Sequence, residues 1–349
     1  MNRIQSAVNK KAEIEFRKKL VQQQVSGAQV LKDEYSSLEI ERILKERMDT
    51  TFKQVDKLEQ QGFVLSPYIE IGAERCQRSL VMENDLNISG AAVDISFDML
   101  KSCEYYSERF NKNRIPLRVC CDAYNLPFIS NSIPFVFCYE TLHHFPDPLP
   151  IVREVFRVLS PGGLFLFDEE PYKQILHFKL YESDRIYSTK SLNKNRLRKL
   201  FDYFLSEAPC NEIEHGIIEN HDISIDDWRS ILEVFQQKNV RLESLKYIKS
   251  ELYEPRSQLK FHIARLCGGE LSGTCVKPGS CESPAMTIND AIICPSCRRV
   301  GEELKLVKME RHLYCVNCKS TFPEIDNILF MLCPDQLNEL YPSIAVAQD

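Results

Sequence analysis

Five apolar runs that each stop at or beside an acid lie between residues 68 and 168, and they constrain the fold more than anything else in the chain. The first is Tyr68-Ile69-Glu70-Ile71, followed by Gly72-Ala73-Glu74. An apolar-rich run that ends in an acid and then a glycine reads as a buried strand turning into a ligand-binding loop, because glycine has no Cβ to obstruct a close approach. Ala91-Ala92-Val93 ends on Asp94, 22 residues after Gly72. An acid at the tip of a second strand is placed to accept hydrogen bonds from ribose hydroxyls. Leu117-Arg118-Val119-Cys120-Cys121 ends at Asp122, Pro134-Phe135-Val136-Phe137-Cys138-Tyr139 at Glu140, and Leu164-Phe165-Leu166-Phe167 at Asp168. Between them, 97–110 and 149–159 read as helices, the second stopped by Ser160-Pro161-Gly162-Gly163. Strands alternating with helices at this spacing predict right-handed crossovers and a parallel sheet. Its ligands belong at the carboxyl edge of the strands.

These residues resemble, in order and spacing, the Rossmann-like S-adenosylmethionine (SAM) methyltransferases. The carrying pieces are Glu70-Ile71-Gly72, Asp94, Asp122-Ala123, Leu142-His143-His144-Phe145-Pro146-Asp147-Pro148 and Arg157-Val158-Leu159-Ser160-Pro161-Gly162-Gly163. The resemblance covers 66–171 well and 225–265 loosely. It implies a doubly wound, Rossmann-like α/β fold with a seven-stranded sheet. It also implies SAM as cofactor, held by Glu70, Gly72, Ala73, Asp94, Ile95, Asp122, Ala123 and Tyr139. Asp94 would hold the ribose, and Asp122 with Ala123 would address the adenine. The loop after the fourth strand would border the acceptor, which makes His144, His143 and Glu140 the candidate proton acceptors. One departure stands out. The first loop of such proteins usually carries three alternating glycines, and here Glu74 and Cys76 take the second and third places.

Around this core, 1–62 is helical and polar, with apolar positions recurring near helical spacing, and reads as an N-terminal arm. Residues 63–266 read as the methyltransferase domain. Its insertion at 169–223 is aromatic enough to form a cap. His215 and His221 are six residues apart, off the i, i+4 spacing that would put two ligands on one helical face, so that pair does not read as a metal site. Residues 224–238 read as a helix capped by Ser224. The stretches 240–248 and 259–266 read as the last two strands, and 267–286, rich in Gly, Ser and Pro, as a linker. Cys267, Cys275 and Cys281 read as free thiols.

The second strong motif is Cys294-Pro295-Ser296-Cys297 followed, after 17 residues, by Cys315-Val316-Asn317-Cys318. This C-x₂-C…C-x₂-C spacing is that of a tetrahedral zinc site, and four thiolates leave no open position, so the ion is structural. Residues 287–335 read as a small C-terminal zinc ribbon and 336–349 as a tail. The ribbon resembles the small zinc-ribbon protein that activates several methyltransferases, including tRNA modifiers. Its apolar run 328–332 is placed to pack on the catalytic domain.

Formal charge is −6, with 27% charged and 44% hydrophobic residues. That composition does not favour a broad nucleic-acid grip. No apolar run approaches the ~18 residues of a membrane span, and the first residues lack the core of a signal peptide. The expectation is a cytoplasmic enzyme with no membrane partner. It would transfer a methyl group to an O, N or C acceptor on a small molecule. Two alternatives stay open: an RNA or protein methyltransferase that uses the ribbon for recognition, and a non-catalytic scaffold with the same fold. The acceptor and the oligomeric state are not readable.

Overall fold

The computed structural model describes residues 3–26, 37–183, 195–207, 213, 215–280 and 286–345. Two helices, α1 (Arg3–Ser26) and α2 (Ser37–Gln60), precede the sheet. Five strands then pair in parallel: β1 (Tyr68–Ile71), β2 (Gly90–Asp94), β3 (Leu117–Cys121), β4 (Ile133–Tyr139) and β5 (Leu159–Tyr172), in the spatial order β3-β2-β1-β4-β5. The crossovers carry α3 (Gln77–Asn84), α4 (Phe97–Arg109) and α5 (Leu149–Val158). Both faces of the sheet are covered, so these strands are rich in apolar residues on both faces rather than alternating. Every residue of β1 and β4 is buried. The arm belongs to the same core. Ile14 and Leu44 join Leu80 and Leu100 in one buried cluster, and Val55 joins Tyr68 and Met82 in another.

Inside the insertion, β6 (Tyr181–Glu182) and β7 (Ser206–Glu207) form a separate two-stranded pair. The sheet then resumes with β8 (Gln237–Ser244), β9 (Ile248–Glu251) and β10 (Gly269–Val276). β10 runs antiparallel between β5 and β8. This completes the seven-stranded doubly wound sheet, with β9 added at its margin.

Three expectations fail here. Residues 259–266 are not a strand; Gln258–Cys267 is a helix, capped by Ser257, with Phe261, Ala264 and Cys267 buried at helical spacing. Gly269–Val276 is not linker but strand, and Leu271 and Cys275 alternate into the core while its glycines let neighbouring strands close in. The helix expected over 224–238 is shorter, Ile225–Ile231, although Ser224 does form a capping box with Asp227. Cys267 and Cys275 are free and buried; Cys281 lies outside the described residues.

The C-terminal segment continues the same sheet. β11 (Val307–Lys308), β12 (His312–Tyr314) and β13 (Thr321–Ile325) form an antiparallel ribbon. β14 (Ile328–Met331) leaves β13 and pairs in parallel with β3, Ile328 opposite Arg118 and Met331 opposite Cys121. The result is one twelve-stranded sheet. All four β14 residues are buried, and Phe330 packs on Phe97 and Tyr341. Burying four such side chains contributes roughly 6–12 kcal/mol as an upper bound. Arg118, itself buried, ties the seam by donating to the Asp326 carbonyl at 2.9 Å.

Candidate active site

The loop after β1 follows a glycine-type path with only the first of the usual glycines. Gly72, Glu74 and Cys76 have φ of 69°, 45° and 58°, a region that disfavours side chains. Gly72 cannot be replaced cheaply, because a Cβ there would lie 2.4 Å from Thr141 Oγ1. Gly72→Ala is expected to cost about 1–3 kcal/mol through strain and overpacking, read as a lower midpoint in urea unfolding. Cys76 offers no side-chain cap to α3. Glu70 supplies it from below, its carboxylate accepting from Ser79 N at 3.0 Å and Ser79 Oγ at 2.5 Å. Burial pushes the Glu70 carboxyl up to about 8. Ala73 is fully buried beneath the loop.

A cleft of about 1950 Å³ opens over the carboxyl ends of β1, β2, β3 and β4. Gly72, Glu74, Asp94, Ile95, Asp122 and Ala123 line one end of it. Asp94 braces two loops, accepting from Glu74 N at 2.9 Å and Ser96 N at 2.8 Å. Burial pushes its carboxyl up to about 6. Asp122 accepts from Tyr124 N at 3.1 Å.

Remote segments close this end. Lys10 of α1 and Gln336, on the helix Pro334–Leu340, both reach Asp122, at 2.5 and 2.6 Å. Tyr341 donates to the Ile95 carbonyl at 2.6 Å. The carboxylate of Glu74 faces Arg17 of α1 at 3.2 Å and Arg47 of α2 at 3.5 Å. Burial works against its charge, but Arg17, Arg47 and Arg75 outweigh it and hold the carboxyl at about 2. The ordinary value is 4.5. The stability it contributes is therefore present above pH 4.5 and lost as pH falls towards 2. Arg17→Met is expected to lower the melting temperature by about 2–4 °C near neutral pH. The gap should close in melts run progressively below pH 4.5. A gap that persisted at low pH would assign the loss to packing instead.

The other end of the cleft is lined by Tyr139, Glu140, His143 and His144. The Tyr139 ring lies under Arg78, 3.6 Å from its centroid, and its hydroxyl donates to Gln54 of α2 at 2.5 Å. Glu140 has φ of 47° and is ion-paired with Arg47. Glu169, with φ of 61°, has its carboxyl pushed up to about 7 by burial and by the neighbouring Glu140. Fully buried Glu170 organises the 141–143 turn, accepting from the backbone N–H groups of Thr141, Leu142 and His143. It also meets His143 Nδ1 at 2.9 Å. Burial opposes protonation of His143, but the Glu170 bond and carboxylate raise its pKa overall. His144 contacts the Ile218 carbonyl and the Glu219 carboxylate. Burial, then His143, lowers its pKa, so it stands neutral and able to take a proton.

Cys294, Cys297, Cys315 and Cys318 converge elsewhere, in the ribbon. Cys294 Sγ lies 3.5 Å from Cys318 Sγ, and Cys297 Sγ 3.6 Å from Cys315 Sγ. A tetrahedral ion with bonds of ~2.3 Å to sulfur requires edges of about 3.8 Å, so the donor set and its spacing fit zinc.

With this geometry in view, the methyltransferase domain family matches residues 69–167. Those residues carry a methyltransferase domain. An uncharacterized chloroplastic methyltransferase of Arabidopsis thaliana is 38% identical over 91 residues, 25% of this chain and 25% of that protein. A malonyl-[acyl-carrier protein] O-methyltransferase of Marinomonas sp. is 31% identical over 100 residues, 28% of this chain and 36% of its own length. The chain thus spans between a quarter and about a third of the length of these relatives. Among solved structures, a chain from the complex between the Haloferax volcanii Trm112 methyltransferase activator and a methyltransferase aligns with a TM-score of 0.39. Its identity is 15%, over 71% of this chain and 100% of that one.

Seen against the methyltransferase domain, the residues that sequence reasoning missed come mostly from outside it: Lys10, Arg17, Arg47, Glu219, Gln336 and Tyr341. Glu170 lies just past its end. Local sequence carries no signal for the first six, since each is a polar or aromatic residue of ordinary surface character. Among the described residues, no helix is long and apolar enough to cross a membrane.

Proposed function

We propose that the chain is a SAM-dependent methyltransferase whose acceptor is a small molecule, and that its four-cysteine centre holds a structural zinc ion. Asp94 carries the reading. Its carboxylate stands at the tip of β2, on the wall of the cleft, braced by two backbone N–H groups. In this reading Asp94 holds the ribose hydroxyls, the backbone at Gly72 passes beneath the methionine part, and Asp122 with Ala123 addresses the adenine. Glu70 acts indirectly, by fixing α3 beneath the loop.

SAM supplies an electrophilic methyl group. The chain's part is to hold the acceptor in line with it and to receive the acceptor's proton, orientation alone being worth several kcal/mol. Neutral His144 and Glu140 are the proposed proton acceptors. His143, tied to Glu170, positions the turn. α1, α2 and the insertion contribute side chains to the walls of the cleft, which supports an acceptor small enough to fit between them. Two ribbon arginines are already ion-paired within the chain, Arg298 with Glu154 and Arg299 with Asp335. Less basic surface is therefore left for phosphates, and this favours the small-molecule reading over a nucleic-acid one. The test is calorimetric titration with SAM and S-adenosylhomocysteine. Binding of both supports the reading, and no binding to folded protein overturns it.

A further inference from the structure

His143 and His144 stand side by side, their ring centroids 4.3 Å apart. Glu219, 75 residues further along the chain, faces both rings. One of its carboxylate oxygens is 3.6 Å from His143 Nε2 and the other 3.3 Å from His144 Nδ1. One ligand atom from each of the three lies within 4.8 Å of the others. A tetrahedral ion with bonds of ~2.1 Å to nitrogen and oxygen has ligand edges of about 3.4 Å, and the 3.3 Å from His144 Nδ1 to one carboxylate oxygen is of that size.

We propose that His143, His144 and Glu219 form a second metal site, for a divalent transition ion, set in the wall of the cleft. The arrangement around His143 is that of a prepared ligand. Its Nδ1 faces the fully buried Glu170 carboxylate at 2.9 Å. The proton is thereby fixed on Nδ1, and the Nε2 lone pair is left towards Glu219. Metal-bound histidines are generally oriented in this way by a carboxylate behind them. At His144, an ion bound to Nδ1 replaces the proton shared with the Ile218 carbonyl at 2.9 Å. His221 lies beside this group without belonging to it, with Nε2 2.9 Å from Glu219 and its ring 5.8 Å from that of His143.

Two imidazoles and one carboxylate suit zinc, iron or cobalt in the divalent state and leave coordination positions open. All three side chains line the cleft, so those positions face whatever occupies it. The inference does not depend on methyl transfer. Where both hold, the ion engages His144, and proton acceptance passes to Glu140.

Cobalt titration of the full chain tests the site, because thiolate ligation at the four-cysteine centre gives a charge-transfer band that imidazole and carboxylate ligation lacks. The protein is first cleared of labile metal with a chelator. The expected result is one equivalent of cobalt taken up with visible absorption but no thiolate band. That uptake is lost in both Glu219→Gln and His144→Ala, and is weakened about 10–100-fold in Glu170→Gln. Circular dichroism of each variant checks that it is folded. No thiolate-free uptake by the wild type overturns the proposal, as does uptake unchanged in folded Glu219→Gln and His144→Ala. SAM titration of the same samples is read separately, so failure of this site and failure of the methyltransferase reading remain distinct.

Discussion

Cys297→Ser is expected to lower the melting temperature of the whole chain, by roughly 10 °C or more, rather than loosening the ribbon alone. Structural zinc contributes on the order of 10 kcal/mol to the folding of a small ribbon, and three thiolates hold it far less well than four. Elsewhere that loss could stay local. Here β13 runs directly into β14, and β14 is a full member of the sheet, paired with β3 and buried along its length. If β14 slips, the backbone edge of β3 and the apolar surface under Phe330 are exposed to water, and the Arg118 contact with Asp326 is lost. Gln336 and Tyr341 follow β14 in sequence and touch Asp122 and Ile95, so that end of the cleft loosens as well. Differential scanning calorimetry beside zinc analysis checks this. One transition, shifted down in step with zinc loss, is the expected outcome. Two transitions, the larger unmoved, would show that the ribbon is thermodynamically separate.

Asp94→Ala is expected to weaken SAM and S-adenosylhomocysteine binding by 100-fold or more. A carboxylate accepting from two ribose hydroxyls makes two charge-assisted bonds, together worth roughly 3 kcal/mol or above. The substitution also strands the N–H groups of Glu74 and Ser96, so the loop after β1 loses its brace. Asp94→Asn keeps one acceptor oxygen and should fall between. The pH dependence has a defined sign. The free protein's Asp94 carboxyl titrates at about 6, so affinity should be full above that value and decline as pH falls through it, whereas an ordinary aspartate, near 3.8, would show the decline lower. Calorimetry across that window decides it. Unchanged affinity in a folded Asp94→Ala protein would remove Asp94 from the cofactor site.

The parts of the fold that were legible in the sequence are those whose signal is local. β1 to β5 are buried on both faces, so each reads as a run dominated by apolar residues, and their terminal acids mark where the chain re-emerges. The cysteine pairs are likewise local, since each spans four residues. The helix Gln258–Cys267 reads as a strand in sequence because short apolar stretches carry helix and strand periods equally well. Moreover, the glycines of β10, which suggested a linker, serve the close approach to the β8–β9 hairpin: a Cβ at Gly269 would lie 2.1 Å from the Glu243 carbonyl. The site was legible only on its sheet side. Lys10, Arg17 and Arg47 lie on polar helices, where a solvated face and a cleft-facing one look alike. Glu219 sits in an irregular segment whose partners, His143 and His144, lie far away in the chain.

The seam between β14 and β3 also sets an order of assembly. Ile328 pairs with a residue 210 positions earlier, and Gln336 reaches Asp122 across 214. Contacts between positions so far apart form late, because the intervening chain must first be confined. During synthesis, β1 to β5 can collapse while β14 has not yet left the ribosome, leaving β3 as a bare sheet edge, a template for pairing with other chains. The ribbon then acts as an internal, late-arriving guard for that edge. The end of the cleft at Asp122 and Ile95, which Gln336 and Tyr341 contact, becomes complete only after the edge has been closed.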